Sequence, residues 1–512
     1  MPSLLHTLSP KNIAHTLGAF MLKYELPLFF VILIAGSYLR LVNLENTTSW
    51  FGDAGRDVLV AKHMALYRDN LFVAPDANGG MGVLINTPIY FWILASLWSI
   101  SGSEYGVIFL FSIIGISNII IAYIMSRQLE RGFSALIFPF FVSISSFFVY
   151  ASRNVWQPHL LPFFQMLSML FLIRGLKTNT KYVYLSVQMA FLATHIHLSF
   201  APLLLITIMA TAYALYRKKH YMRLAYLSIL IIGNIITWLL LLPRLSAQIH
   251  ELVTSRIFPT FFTFTYENFM LLSQSLFAKS HGMLSSIVIL LLPICVMYIS
   301  LRMPTAQRVY GLILGTMLSS ILALGGYTRP LYFHYLVPYY VLELMAFSYV
   351  FSRIRSHTYL FLFPLFVLLA INISQNNSAT LSRKRISELH INQQIAKAIL
   401  QINTSPAIIL RVCLNNNLLC LENEAFTSSV WFYLEKFSGE RLGTITNTNT
   451  NTNNFIPFDD SRNRTDKFVI CAYSSDECLN RMGVLPTNTR LLYSDGKDTT
   501  LFHIKDATTN VE

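Results

Sequence analysis

The chain has 512 residues, of which 54% are hydrophobic and only 12% are charged, with a net charge of +13 and a mean hydropathy of +0.51. Soluble domains carry about 25% charged residues, so this composition excludes a soluble globular protein of this size. It also excludes disorder over most of the chain, because disorder needs low hydrophobicity. Since the apolar residues come in long blocks, the sequence predicts an α-helical polytopic membrane protein with a polar tail.

The positive charge is confined to the apolar part of the chain. Residues 1–375 hold 24 Lys and Arg and 11 Asp and Glu, a difference of 24 − 11 = 13, whereas residues 376–512 hold 14 of each. Basic residues in short loops between apolar blocks are typical of the cytoplasmic loops of membrane proteins. A nucleic-acid-binding protein would instead carry a basic stripe on a water-soluble face. The sequence shows none, so nucleic acid is not a predicted partner.

Eleven apolar blocks predict membrane-spanning helices, since a span needs about 20 mainly apolar residues. The predicted spans are Leu26–Val42, Tyr105–Ser126, Phe133–Tyr150, Leu160–Ile173, Tyr182–Thr194, Leu198–Tyr216, Leu224–Pro243, Met283–Leu301, Val309–Leu324, Tyr332–Val350 and Tyr359–Ile373. The first two are separated by an outer loop, residues 43–104. In this loop Pro88–Ile100 is apolar but has only 13 residues. It is therefore predicted to lie on the membrane surface.

The charged residues test this topology. With the N-terminus inside, the cytoplasmic segments carry 15 basic residues and two acids, whereas the outer segments carry nine basic residues and eight acids. The asymmetry favours a multi-pass protein of the cell inner (plasma) membrane with a cytoplasmic N-terminus. It holds only if Pro88–Ile100 does not cross, because a crossing there would invert every later loop. An odd number of spans then predicts a periplasmic tail.

The tail, residues 376–512, is predicted to be a small extracytoplasmic α/β domain that follows the transmembrane domain, residues 1–375. Arg383–Leu400 has a helical pattern, and Ala407–Val412 and Lys467–Tyr473 are rich in the residues that favour strands. Thr444–Asn454 is a low-complexity run of Thr and Asn, which predicts a flexible loop.

The five cysteines are divided between the membrane part and the tail. Cys295 lies in an apolar block and is predicted to be a buried small hydrophobe. The tail holds Cys413, Cys420, Cys471 and Cys478, which could form disulfides in an oxidising compartment. The spacing leaves both their formation and their pairing open. Neither Cys413 and Cys420 nor Cys471 and Cys478 have the short spacing of a zinc site.

The chemistry-bearing segment of the sequence follows the first predicted span. Asp53 and Asp57 are four residues apart in a stretch with helical periodicity, so they would share a face, with Arg56 beside them. Two carboxylates and a guanidinium at the membrane surface suit a site that handles a charged lipid headgroup. The alternative is structural: Asp53 could cap the helix and Asp57 could interact with its dipole. The pattern alone leaves both open.

Three further segments complete a recognisable set: Thr87-Pro88-Ile89-Tyr90-Phe91, residues 151–158 (ASRNVWQP) and His195-Ile196-His197. Together with residues 51–57 (FGDAGRD), they make the chain resemble the membrane glycosyltransferases of the GT-C fold, specifically glycosyltransferase family 39. This family includes protein O-mannosyltransferases, and the lipid A aminoarabinose transferases are close relatives. The resemblance covers roughly residues 20–345.

The resemblance implies a GT-C-like enzyme that transfers a sugar from a polyprenyl-phosphate donor to an acceptor on the outer face of the membrane. In such enzymes an acidic residue of the first outer loop is the base, and Asp53 matches that position; Asp57 matches a neighbouring acid. Some relatives hold a metal through an acid in the second outer loop, but Ser152–His159 contains none. No cofactor and no metal ligand is therefore predicted, and a divalent cation stays open.

The departing lipid phosphate would need fixed positive charge, and the acceptor would need a general base. Asp53 is the predicted base of a single displacement that inverts the anomeric centre. The predicted substrate-binding residues are Arg56, Asp57, Tyr90, Arg153, His195, His197, Arg329 and His334. Several have a structural alternative: Arg153 could extend towards the interface, and the two histidines could serve packing or hydrogen bonding.

Two other classes of function compete with the enzyme. A transporter or lipid flippase would place ionisable residues near the bilayer midplane, but here the acids gather in one outer loop and Glu343 is alone inside a span. A non-catalytic assembly or sensor protein would need an active tail, and the tail shows no such motif. The predicted partners are the donor, membrane lipids and a lipid, glycan or protein acceptor. The sequence identifies neither the sugar nor the acceptor.

Overall fold

A computed structural model gives the fold of most of the membrane part and of the regular elements of the tail. It describes residues 10–48, 50, 53–68, 87–241, 282–303, 305–320, 333–352, 388–402, 408–413, 420–422, 428–438, 443–447, 453–457, 466–471, 489–494 and 500–505.

The described part of residues 1–375 is helical. Its α-helices, in chain order, are α1 Pro10–Leu41, α2 Leu44–Thr47, α3 Asp53–Tyr67, α4 Ile89–Ser101, α5 Glu104–Leu129, α6 Phe133–Ile144, α7 Ser146–Arg153, α8 Leu161–Lys177, α9 Tyr182–Ile196, α10 Ala201–Arg217, α11 Tyr221–Leu241, α12 Gly282–Leu301, α13 Thr305–Ser319 and α14 Val337–Phe351. Short 3₁₀ turns at Gln157–Leu160, Leu198–Phe200 and Phe333–Leu336 precede α8, α10 and α14.

The chain is a multi-pass membrane protein. Among the described residues five helices are long and apolar enough to cross a bilayer, or six if a bent pair counts as one span. Ten of the eleven predicted spans coincide with described helices, several of them shorter than a full crossing. The last, Tyr359–Ile373, lies outside the described residues. The prediction of about eleven spans therefore stays a prediction.

The third predicted span is broken, which corrects the expectation of one continuous helix over Phe133–Tyr150. Helices α6 and α7 meet at an angle of 54°, because Ser145 adopts an extended ψ of 124°. The break exposes the last carbonyls of α6, which have no partner within that helix. Arg40 of α1 donates to two of them, the carbonyl oxygens of Val142 and Ser143, at 2.8 and 2.9 Å.

Close approach between α1, α5 and α6 depends on a glycine. A Cβ placed on Gly36 would lie 2.5 Å from Cδ1 of Ile119 and 2.8 Å from Cβ of Ser143. Small residues at such crossings let helix backbones come close together in membrane proteins. Within α1, Nη1 of Arg40 also donates to the carbonyl of Gly36 at 2.9 Å, and its bonds to Val142 and Ser143 fasten α1 to the broken span.

The described tail contains two helices and seven strands. They are α15 Glu388–Ile402, β1 Ile408–Cys413, β2 Cys420–Glu422, α16 Ser428–Ser438, β3 Gly443–Asn447, β4 Asn453–Pro457, β5 Asp466–Cys471, β6 Thr489–Ser494 and β7 Thr500–Lys505. Five strands form a sheet in the order β2-β1-β5-β7-β6, in which only β1 and β5 are parallel. The predicted helix and both predicted strands are confirmed, whereas the domain boundary at residue 376 stays a prediction.

The Asn/Thr run corrects a second expectation. The ends of Thr444–Asn454 belong to the antiparallel strands β3 and β4, in which Ile445 pairs with Phe455. Thr is β-branched and favours strands, so Thr444 and Thr446 fit the strand β3 although the run has low complexity. Residues 448–452 lie outside the described part.

The cysteines give one correction and one open prediction. Cys295 is exposed on α12 rather than buried, since an apolar block also provides the surface that faces lipid. In the sheet, Cys413 is paired in register with Cys420 on β2 and with Cys471 on β5. The backbone therefore offers Cys413 two neighbours, and the disulfides stay a prediction.

Candidate functional site

Helix α3 begins at Asp53 and carries a buried ion pair in its first turns. Nε and Nη2 of Arg56 donate to Oδ1 of Asp57 at 3.0 and 2.7 Å. Asp57 is fully buried and Arg56 is 7% exposed. The predicted grouping of Arg56 with Asp57 is thus present, and both charges are withdrawn from water. The side chain of Asp53 lies outside the described residues, so its roles as base or as helix cap stay predictions.

The other predicted segments meet at the C-terminal end of α9. The amide nitrogen and Oγ1 of Thr87 donate to the carbonyl of His195 at 3.4 and 3.1 Å. Nε2 of Gln157 donates to the carbonyl of Ile196. The segments around Thr87, Gln157 and His195 are therefore joined by direct hydrogen bonds, although they come from distant parts of the sequence. Tyr90, three residues after Thr87, is fully buried beside Phe91.

The surroundings of Arg153 do not fit its predicted role in phosphate binding. Its Nη1 donates to the carbonyl of Leu39 at 2.8 Å, and its Nη2 donates to that of Val42 at 2.8 Å and to that of Asn43 at 3.3 Å. Nη2 also donates to the hydroxyl of Thr47. These acceptors lie at the end of α1 and in α2. The guanidinium thus closes the C-terminal end of the first helix, and this geometry gives no support to phosphate binding.

The two histidines differ. Nδ1 of His197 lies 2.8 Å from the hydroxyl of Ser199 and accepts the amide N–H of Ser199 at 3.3 Å, so the ring caps the 3₁₀ turn before α10. His195 is 4% exposed, and its Nδ1 has no hydrogen-bond partner among the described residues. The structural alternative therefore fits His197, while the ring of His195 keeps one nitrogen that can meet a ligand.

Two predicted residues cannot be placed. Arg329 and the side chain of His334 lie outside the described residues. The described part of the chain contains no group of three His, Cys, Asp or Glu side chains that could hold a metal ion. This observation does not test whether the protein uses a divalent cation, and that question stays open.

The fold of the chain is similar to the folds of solved structures. ArnT from Cupriavidus metallidurans, solved in the apo state, matches with a TM-score of 0.56 and 13% identity over 94% of this chain and 98% of that chain. ArnT bound to undecaprenyl phosphate matches over 95% and 99%, with the same TM-score. The chain has a GT-C fold. The Archaeoglobus fulgidus oligosaccharyltransferase aligns with a TM-score of 0.47 and 13% identity over 86% of this chain and 61% of its own. By sequence, no protein-family model and no curated protein matches the chain.

Several residues around this candidate site were missed by the sequence analysis. Lys62 of α3 is only 8% exposed, and its Nζ lies 5.5 Å from the ring centre of Phe432 in the tail. His63 is fully buried and lies edge-on to Tyr67. Glu104, also fully buried, pairs with Lys436 at 2.5 Å. A lysine inside the apolar run Val58–Met64 was the one local signal, since a charge in such a run needs a partner.

Proposed function

We propose that the chain is an integral membrane glycosyltransferase that transfers a sugar from a polyprenyl-phosphate donor to an acceptor on the periplasmic face. The observation that carries the proposal is the buried Arg56–Asp57 pair in the first turns of α3, directly after Asp53, in a chain with a GT-C fold. ArnT, whose fold is similar, has been solved bound to undecaprenyl phosphate. We propose that the sugar donor of this chain is likewise carried on a polyprenyl phosphate.

Arg56 would bind the phosphate of the donor. Breaking the bond between C1 of the sugar and the phosphate oxygen leaves negative charge on the lipid phosphate, and a fixed guanidinium stabilises that charge best where water is scarce. Asp57 holds Nε and Nη2 of Arg56 on one carboxylate oxygen, which fixes the plane of the guanidinium before the donor arrives. Arginine binds phosphate through paired N–H groups, so its orientation matters as much as its charge.

Asp53 would act as the general base. The acceptor hydroxyl or amine attacks C1 and passes its proton to the carboxylate, while the polyprenyl phosphate leaves from the opposite side and the anomeric centre inverts. Asp53 is the first residue of α3, where the helix dipole favours a charged carboxylate. A base in this role contributes about 10²–10⁴-fold to the rate.

The remaining donor contacts follow from the placement of the predicted residues. Tyr90 and His195 lie in the cluster that joins α4 to the end of α9, and we retain them as donor-binding residues together with Arg329 and His334. Arg153 and His197 are left out, since their polar atoms close the end of α1 and cap the turn before α10. The site is proposed to face the periplasm of the inner membrane, with the N-terminus cytoplasmic, because the charge asymmetry favours that orientation.

The proposal is tested with Asp53→Asn in membranes supplied with labelled undecaprenyl-phosphate-linked sugars. We expect transfer to fall by about 10²–10⁴-fold, because the amide cannot accept the proton. Glu45→Gln is the matched control: it makes the same chemical change in the same outer loop at an exposed position, and we expect it to transfer at the wild-type rate. Equal transfer by wild type and Asp53→Asn would remove Asp53 from the mechanism. Wild-type membranes that transfer none of the sugars offered would contradict the proposed donor.

A further inference from the structure

Phe432 of helix α16 packs against residues that lie before α3, within it and on the neighbouring α4. Its ring is fully buried. It lies edge-on to Trp50 at 5.8 Å and to Trp98 of α4 at 5.7 Å between ring centres. Nζ of Lys62 lies 5.5 Å from the centre of the same ring. One tail residue therefore contacts the segment before α3, α3 itself and the neighbouring α4.

The contact with Lys62 shows which side of α3 the tail supports. Successive residues of an α-helix are rotated by about 100°, so Lys62 lies about 180° from Asp53 and about 140° from Asp57 around the helix axis. Phe432 thus packs against the side opposite the two carboxylate positions. Helix α16 therefore supports α3 from the side opposite the carboxylate positions.

Helix α16 is itself fastened to the membrane part. Lys436, one turn after Phe432, pairs with the fully buried Glu104 at 2.5 Å. Gln393 of α15 donates to the hydroxyl of Tyr105 at 3.2 Å. Glu104 and Tyr105 are the first two residues of α5. Burial and the charge of Glu104 raise the pKa of Tyr433, so this neighbour of Phe432 stays neutral.

We propose that Phe432 is a positioning residue that fixes the orientation of α3 relative to α4 and α5. The inference rests on the proposed function. Helix α3 has only 15 residues, and an isolated helix of that length is marginally stable in water. Its orientation must therefore come from packing. Without the ring, Asp53 and Arg56 would keep their chemistry but would lose a fixed alignment with the donor, and a misplacement of about 1 Å can cost about 10²-fold in rate.

The test compares Phe432→Leu with Phe437→Leu in the full-length protein in lipid nanodiscs. Both variants remove a phenyl ring from α16, but Phe437 is 38% exposed and stacks on Tyr433 within the tail. We expect Phe432→Leu to lower kcat by about 10–100-fold with a donor KM within about threefold of wild type. The polyprenyl chain supplies much of the ground-state binding, and alignment acts on the transition state. Phe437→Leu should stay within about twofold of wild type in both constants.

Backbone hydrogen exchange gives a second readout that needs no transfer activity. Phe432→Leu should raise the exchange of residues 53–67 while the exchange of α5 and α8 stays at the wild-type level, and Phe437→Leu should leave all three unchanged. If Phe432→Leu loosens α5 and α8 as well, Lys62→Met is measured instead, since it removes the cation over the ring and keeps an unbranched stem. Raised exchange at 53–67 with unchanged kcat would overturn the positioning role, and so would unchanged exchange. A wild-type protein that transfers no sugar would count against the proposed function alone.

Discussion

The two ends of the membrane part each bury a carboxylate that binds an arginine, but the two pairs are built differently. At the predicted cytoplasmic end, Oε1 of Glu25 accepts the hydroxyl of Tyr123 and Nε of Arg127, both at 3.0 Å, and Oε2 accepts the amide of Gly132 at 2.7 Å. The donors come from α5 and from the turn before α6, about a hundred residues along the chain. This carboxylate joins helices.

At the outer end, the bond within the pair joins neighbours in the sequence. Arg56 and Asp57 belong to one helix, so their mutual bond contributes nothing to joining α3 to other elements. Burying two charges costs several kcal/mol per ion unless the pair is well bonded. The burial of Glu25 is explained by the three elements that its hydrogen bonds join. The Arg56–Asp57 pair lies in the first turns of α3 beside Asp53, where its guanidinium suits the phosphate of the proposed donor.

Among the variants that compare the two pairs, Arg56→Lys has the largest expected effect. Lysine keeps the charge but loses the planar pair of N–H groups and the orientation imposed by Asp57. We expect transfer from the polyprenyl-phosphate donor to fall by about 10²-fold, measured as kcat/KM with labelled donor, since removing one fixed donor to a developing anion costs about 10²–10³-fold. Arg302→Lys is the matched control, because Arg302 is exposed and lies in a predicted cytoplasmic segment. A variant that transfers like wild type would show that Arg56 does not bind the phosphate.

The second prediction separates Arg56 from Arg153. Arg153→Lys cannot reach the carbonyls of Leu39 and Val42 with two nitrogens, so we expect a lower melting temperature for the ligand-free protein. Undecaprenyl phosphate should still raise that temperature as much as it does in wild type, because the stabilisation by a ligand depends on its affinity and concentration, and neither changes. Arg56→Lys should show the reverse, with a near-normal melting temperature and a smaller ligand-induced rise. A lost ligand effect in Arg153→Lys would return Arg153 to the phosphate site.

The sequence predicted those features that depend on local pattern. Helix α5, Glu104–Leu129, lies within a few residues of the predicted Tyr105–Ser126, and α4, Ile89–Ser101, matches the predicted surface segment. Long apolar blocks flanked by charge define such helices without tertiary information. The meeting of Thr87 with His195 also agrees with the resemblance that grouped their segments.

What the sequence missed depends on distant partners. Three serines, at positions 143, 145 and 146, surround the break in the third span, but neither Gly nor Pro marks it. The role of Arg153 is set by carbonyls more than a hundred residues away in the chain. The contact between Lys62 and Phe432 crosses from the first outer loop to the tail. No periodicity or spacing encodes such pairs, because each side chain alone fits several surroundings.

The smallest expected effect is that of Glu25→Gln. The amide keeps the shape of the side chain but loses the charge that strengthens its hydrogen bonds, and bonds to charged groups contribute about 1.5–3 kcal/mol each. Arg127 is 44% exposed on its side chain, so solvent screens that partner and its share is small. We therefore expect the free energy of unfolding to fall by about 1–3 kcal/mol, mainly through the bonds to Tyr123 and Gly132.

Transfer by Glu25→Gln, measured well below the unfolding temperature, should stay within about twofold of wild type, because the carboxylate lies far along α1 from the outer end. The exposed Glu45→Gln should change neither quantity. If Glu25→Gln instead lost transfer while keeping its stability, the distinction between a carboxylate that joins helices and a pair that binds substrate would fail. The Arg56–Asp57 pair would then need another explanation for its burial.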